Sequence, residues 1–133
     1  MRYVLFFLLL LFLANPGTAA VPAPASIEKQ YSVRGIYPYR TLTYPVKDSK
    51  LKKLTVCLPG SPSGREKTIY PVIVYCNGTN VPVSACLEVL EHLASWGFIA
   101  IGSEEKYSGK GSGAITALNF LLQQNQLADS PFY

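Results

Sequence analysis

With 133 residues, 49% of them apolar and 15% charged, the chain has room for one small domain and is too hydrophobic to remain disordered. Its net charge of +4 falls to +3 once the first twenty residues, whose only charge is Arg2, are set aside, and so mild an excess does not by itself point to a nucleic-acid or membrane-surface protein. Ten glycines and ten prolines without a period exclude a collagen-like chain, and no internal repeat of about 20–50 residues is present.

Met1-Arg2 gives a basic start to an apolar run from Tyr3 to Ala14, which Asn15-Pro16-Gly17 breaks. Thr18 and Ala20 then supply small residues at the −3 and −1 positions of a cleavage site, so residues 1–20 read as a secretory signal peptide. Cleavage after Ala25 is the second choice. A transmembrane helix needs about 20 apolar residues, and this run is shorter. The expectation is therefore an exported protein, secreted or periplasmic, with no stable membrane insertion after cleavage. Residues 21–30 form a Pro/Ala-rich linker. Export places Cys57, Cys76 and Cys86 in an oxidising setting. One disulfide in any of three pairings would leave one thiol, and simple buried thiols are an equal reading.

Residues 31–45 are rich in Tyr and Thr and interrupted by Gly35 and Pro38, which suggests one or two short edge strands with a turn or bulge. Asp48-Ser49-Lys50 makes a polar turn. Leu54, Val56 and Leu58 alternate with Lys53, Thr55 and Cys57, the pattern of a half-buried strand. Pro59 to Gly64 is a loop. Val72 to Cys76 is a continuous apolar run, as in a strand covered on both faces. The loop Asn77-Gly78-Thr79-Asn80 follows. Val83, Cys86, Leu87, Leu90, Leu93 and Ala94 recur at helical spacing up to Gly97. Phe98 to Ile101 is a second buried strand. After the loop from Ser103 to Ser112, Ile115, Leu118, Leu121 and Leu122 mark a second helix to about Gln124. Antiparallel edge strands followed by a βαβα run predict an α/β fold with a mixed, mostly parallel sheet. The layout reaches Tyr133 where a third parallel strand is due, which would leave one flank of the last strand unpaired. The front part of a larger domain is expected.

Several patterns have a chemical reading that fails on its own terms. Gly109-Lys110-Gly111-Ser112-Gly113-Ala114 matches G-x-G-x-x-A, but six residues separate it from the preceding strand, whereas a nucleotide fingerprint opens its helix at once. Lys29 to Lys67 carries nine basic and two acidic residues among Tyr31, Tyr37, Tyr39 and Tyr44. A nucleic-acid platform would use such rings, yet edge strands carry aromatics and protective lysines for structural reasons. His92 is the only histidine and falls on a helix boundary or surface, so no metal site is proposed. Asn77-Gly78-Thr79 fits the glycosylation sequon, in a loop too close to a strand end for a glycan. No serine has glycines at both −2 and +2, so there is no nucleophile elbow.

Pro71-Val72-Ile73-Val74-Tyr75-Cys76-Asn77-Gly78-Thr79 and Leu90-Glu91-His92-Leu93-Ala94-Ser95-Trp96-Gly97-Phe98-Ile99-Ala100-Ile101 resemble the α/β-hydrolase superfamily. The likeness is to its branch of secreted cutinase-like and polyester hydrolases, chlorophyllases and dienelactone-hydrolase-like proteins. Ala117 to Leu122 resembles the following helix, and the likeness covers about half the chain, residues 70–133. Residues 31–133 would then be the N-terminal portion of an α/β-hydrolase domain. The resemblance places Thr79 where a backbone N–H donates to the oxyanion, with Gly78 and Asn80 shaping the floor of the substrate cleft. Such donors at a strand's carboxyl end, aimed where charge develops, are worth about 2.7–4 kcal/mol to acyl transfer. The family's nucleophile follows the next strand, and its acid and histidine come later; His92 does not match that histidine. No catalytic residue is therefore expected in this chain, and no cofactor.

The resemblance implies a truncated exported serine hydrolase that acts, when complete, on small-molecule or polymeric carboxylic esters and contacts no nucleic acid. A second reading, from a different class, is a small exported non-enzymatic binding module. It would use the basic Tyr-rich strands to contact a polymer or envelope surface.

Overall fold

The computed structural model describes residues 26–61 and 68–133. The expected signal peptide, linker residues 21–25, loop residues 62–64 and the basic residues Arg65 and Lys67 lie outside the described residues. Strand β1 covers Tyr39–Pro45, β2 Lys53–Pro59, β3 Val72–Val74 and β4 Ile99–Ser103. Helix α1 covers Ser26–Tyr31, α2 covers Leu87–Ser95 after a 3-10 turn over Val83–Cys86, and α3 covers Ser112–Gln124.

The strands form one sheet in the order β1-β2-β4-β3. β1 runs antiparallel to β2 with Thr41 opposite Cys57, and β2 antiparallel to β4 with Val56 opposite Ile101. β3 runs parallel to β4 with Ile73 opposite Ala100. The α/β class and the mixed sheet expected from the sequence are both present. The parallel share is smaller than expected, with one parallel pair beside two antiparallel ones.

Two helices cover opposite faces of this sheet. On one face Cys57, Ala100, Val83, Leu90 and Ala94 form a core with α2. On the other, Leu54, Val56, Leu58, Ile99 and Ile101 pack with Ala117 and Leu121 of α3 and with Phe132. This double cover corrects the half-buried reading of residues 53–58, because Thr55 and Cys57, on the supposed wet face, are buried beneath α2.

β3 requires the opposite correction. Its apolar run reads as a strand covered on both faces, yet β3 is three residues long, lies at the sheet's edge and leaves Val72 45% exposed. β4, expected to carry the open flank, sits between β2 and β3 instead. The crossover through α2 turns back towards β2, so the open edge falls to the earlier strand. Of the four apolar residues that mark α3, only Leu121 is buried, because Gly113, Ala117 and Leu121 form the stripe that meets the sheet.

Residues 31–45 hold one strand rather than two. The first half of the segment is a strap across the last turn of α2. The Gly35 N–H donates to Ser95 Oγ at 2.9 Å and the Tyr37 N–H to the Ser95 carbonyl at 3.0 Å. Trp96 Nε1 donates to the Val33 carbonyl at 3.1 Å, and His92 Nε2 to that of Tyr31 at 2.8 Å. The linker expected through residue 30 gives way to α1 at Ser26, where Glu28, Lys29 and Gln30 supply helix formers and Glu28 sits favourably in the first turn. At the β1–β2 turn, Asp48 Oδ1 accepts from the N–H groups of Lys50 at 2.7 Å and Leu51 at 3.2 Å, as a polar turn requires.

Candidate functional site

The parallel strands β3 and β4 end side by side, and the chain leaves each of them in a polar loop. This is where open α/β sheets bind ligands, outside the carboxyl ends of their strands. The first loop runs from Tyr75 to Pro82, the second from Glu104 to Gly111. They are tied together by side chains and backbone. Asn77 Nδ2 donates to the Ser103 carbonyl at 2.8 Å and to the Glu105 carbonyl at 2.6 Å. Ser108 Oγ donates to the Asn77 carbonyl, and the Asn80 N–H to the Lys106 carbonyl at 2.6 Å. Ser84 Oγ, at the foot of the 3-10 turn, donates to Glu104 Oε2 at 2.9 Å.

Gly78, Thr79 and Asn80 form the exposed tip of the first loop. The N–H groups of Gly78 and Thr79 donate to no acceptor among the described residues, whereas that of Asn80 is held by Lys106. Asn80 takes a left-handed φ of 61°, a conformation asparagine tolerates better than branched residues, and it turns the chain away from the strand end. The Val81 N–H closes the turn by donating to the Gly78 carbonyl at 3.1 Å. The loop thus presents two uncommitted backbone donors from a support fixed on its other side. Such donors can hydrogen-bond an anionic oxygen, and the exposed Cys76 thiol lies in the same loop.

The lone histidine is at the other end of the molecule. α2 runs from the carboxyl end of β3 to the amino end of β4, and His92 lies on its last turn against the strap. No group of three His, Cys, Asp or Glu side chains suited to a metal ion occurs among the described residues. Nor is any described helix long and apolar enough to cross a membrane. The three cysteines are free: Cys57 is buried, Cys86 half-buried and Cys76 exposed. A hydrogen bond with Cys86, and then burial, pushes the Tyr75 hydroxyl above its ordinary value.

Reading the residues alone missed Asn77, Ser103 and Ser108 as the frame of this loop. A polar residue closing an apolar strand run was the available signal, and Asn77 is 5% exposed despite its amide. Its Nδ2 is the atom a glycan on the Asn77 sequon would occupy. With that nitrogen donating to two inner carbonyls, the folded loop accommodates no glycan there.

A cleft of about 930 Å³ lies elsewhere. It opens between α3 and the amino-terminal ends of β3 and β4, lined by Ile69, Val72, Ile99, Leu118, Leu122 and Phe132. Its walls are largely apolar, with Arg40, Thr68 and Asn125 among the lining residues, and it lies beside the edge strand β3. Compared with known proteins, the chain matches no family model and no curated protein.

Proposed function

We propose that this chain is the front part of an exported serine ester hydrolase with an α/β-hydrolase fold, in which Thr79 supplies a backbone donor to the oxyanion. The observation that carries this reading is the pair of uncommitted N–H groups at Gly78 and Thr79, on a loop pinned at the carboxyl end of β3. Hydrolases of this fold draw one oxyanion donor from the loop between the third strand and the next helix, and the other from the residue after the nucleophile. The loop at residues 75–82 joins the third strand to α2. A mixed sheet with helices on opposite faces is also what the reading requires. Gly78 and Asn80 border the cleft on this account. In the complete protein a serine attacks the ester carbonyl, and the Thr79 N–H strengthens its hydrogen bond as the carbonyl oxygen becomes negative. On this account the described residues contribute that donor, and the nucleophile, base and acid are assigned to none of them.

The tyrosines that a binding module would use make ring contacts within the fold, with Tyr31 50% and Tyr39 38% exposed. Tyr31 meets Trp96 at 4.7 Å between ring centres, Tyr37 meets Tyr70 at 5.9 Å, and Tyr44 meets Phe120 at 4.7 Å. Arg34 covers the Tyr39 ring at 5.3 Å.

The test begins with the coding DNA past the codon for Tyr133. A frame that continues into a Gly-x-Ser-x-Gly strand–helix turn supports the proposal, and an immediate stop codon removes catalysis from it. In the continued protein, Ser→Ala at that turn should abolish hydrolysis of an activated ester. Thr79→Ala, which keeps the backbone donor, should retain most activity. Thr79→Pro, which removes it, should lower kcat about 10²–10³-fold. Equal rates for these two Thr79 variants would sink the oxyanion role.

A further inference from the structure

We infer that the Asn77 side chain is a latch between the two loops at the carboxyl end of the sheet, and that the Asn77–Gly78 bond is a deamidation site whose reaction is gated by opening of that latch. The inference rests on the hydrogen bonds and the dipeptide and stands apart from the hydrolase reading.

Asparagine followed by glycine is the sequence most open to this chemistry, because glycine offers no side chain to obstruct its own backbone nitrogen. Asn77 is the only asparagine in the chain that precedes glycine. On the glycine side nothing stands in the way, since a Cβ built at Gly78 would find no heavy atom within 4 Å. The obstacle is Asn77 itself. For succinimide closure the Gly78 nitrogen must bond to Asn77 Cγ and Nδ2 must depart, so the side-chain amide has to give up its two hydrogen bonds. Its position is fixed by the 2.8 and 2.6 Å bonds from Nδ2 to Ser103 and Glu105, by Ser108 Oγ on the Asn77 carbonyl, and by burial. The closed latch therefore holds the carboxamide by both N–H groups of its nitrogen, the atom that must depart.

In the reaction the Gly78 nitrogen forms a bond to Asn77 Cγ and loses its proton, while the Cγ–Nδ2 bond breaks and Nδ2 departs as ammonia. Water then adds to either carbonyl of the succinimide, giving aspartate or isoaspartate, with no oxidation or reduction. The departing atom is the one that makes the latch. Both donors are lost in one step, and a carboxylate is left facing two carbonyl oxygens. A loop opened in this way does not close again, and the isoaspartate product lengthens the backbone just ahead of Gly78 and Thr79. The site is thus a one-way switch, reporting how often the two loops part.

The test follows deamidation by peptide mass in the full chain, held in mildly alkaline buffer with and without urea. Asn77 should react at least about tenfold more slowly in the native chain than in urea, as local opening of a hydrogen-bonded loop requires. Ser108→Ala, which removes one contact of the latch, should raise the native rate. Asn77→Asp should speed amide exchange at residues 78–81 and 104–108 and leave Val56 and Ile101 unchanged. Should that variant lose its fold, the same local exchange pattern is expected in Ser108→Ala. Equal rates in buffer and urea would overturn the gating. Loop amides that exchange no faster in either variant would overturn the latch.

Discussion

Gly35 sits where any side chain would strike the carbonyl of Ser95 and the ring of Trp96, so the strap can lie flat on α2 only because this position has no Cβ. Gly35→Ala must push the strap outward and loosen the Ser95 hydrogen bonds, at a cost of about 1–3 kcal/mol. Gly60→Ala is the control, because its methyl would meet Pro38 at 3.4 Å and should change the urea midpoint by less than about 0.5 kcal/mol. Gly97 has a φ of 89°, a left-handed conformation that ends α2, and Gly97→Ala should cost a further kind of strain, about 1–2 kcal/mol. The cysteines differ by environment. Burial pushes the Cys57 thiol above its ordinary 9.0, with the Thr41 hydroxyl 3.5 Å away pulling it partly back. Iodoacetamide should therefore modify exposed Cys76 first and reach Cys57 only on unfolding, which peptide mass mapping will show. A group raised in the fold contributes stability that is complete below its unfolded pKa and is lost as pH rises through the folded one. Urea midpoints should thus fall on the alkaline side of 9.0, and less steeply in Cys57→Ala.

Among the elements, α3 shows how far a hydrophobic pattern reaches. Its existence and extent were legible from the spacing of Ile115, Leu118, Leu121 and Leu122, but not which of them face the sheet. Small residues decide that: Gly113 and Ala117 allow close approach to Leu51 and the sheet, and the larger side chains are left outside. Leu121→Ala should accordingly cost about 2–5 kcal/mol. The double variant Leu118→Gln with Leu122→Lys should stay within about 0.5 kcal/mol per site in this chain, as surface changes do. Chemical denaturation of both variants checks the assignment. β2 was legible as a strand but not as a doubly buried one, because Thr55 and Cys57 are ambiguous residues whose burial depends on α2. The candidate loop was legible as a loop, with its glycine and asparagines. Its support was not, because Asn77 and Ser108 are 31 residues apart and only the fold brings them together.

For the whole molecule, the handedness of the crossovers decides where further sheet would lie. A right-handed connection from β3 through α2 on one face arrives at β4 on the β2 side. α3 leaves β4 on the opposite face, so a right-handed connection through it must travel the opposite way, past β3. The next parallel strand would then pair with the open edge of β3. Pro71, Ile73 and Tyr75 face β4, with the Tyr75 N–H on the Ile101 carbonyl at 2.7 Å and the Ile99 N–H on that of Pro71 at 2.8 Å. The alternate residues Val72 and Val74 turn their backbone groups outward. Beside that edge Leu118 and Leu122, 43% and 56% exposed, offer the apolar wall a crossover strand needs. Without that strand, the edge is a template for a second copy, and charge is the usual means of blunting such edges. The chain by itself should therefore self-associate as its concentration rises, measured by sedimentation velocity, and Val72→Lys should suppress the association while leaving the β4 ladder intact. A chain extended through the following strand should remain monomeric without any such substitution, because its own backbone then occupies the edge. If instead the mature chain, residues 21–133, is monomeric and unfolds in a single cooperative step at every concentration, β3 is a tolerated edge and the larger-domain reading fails.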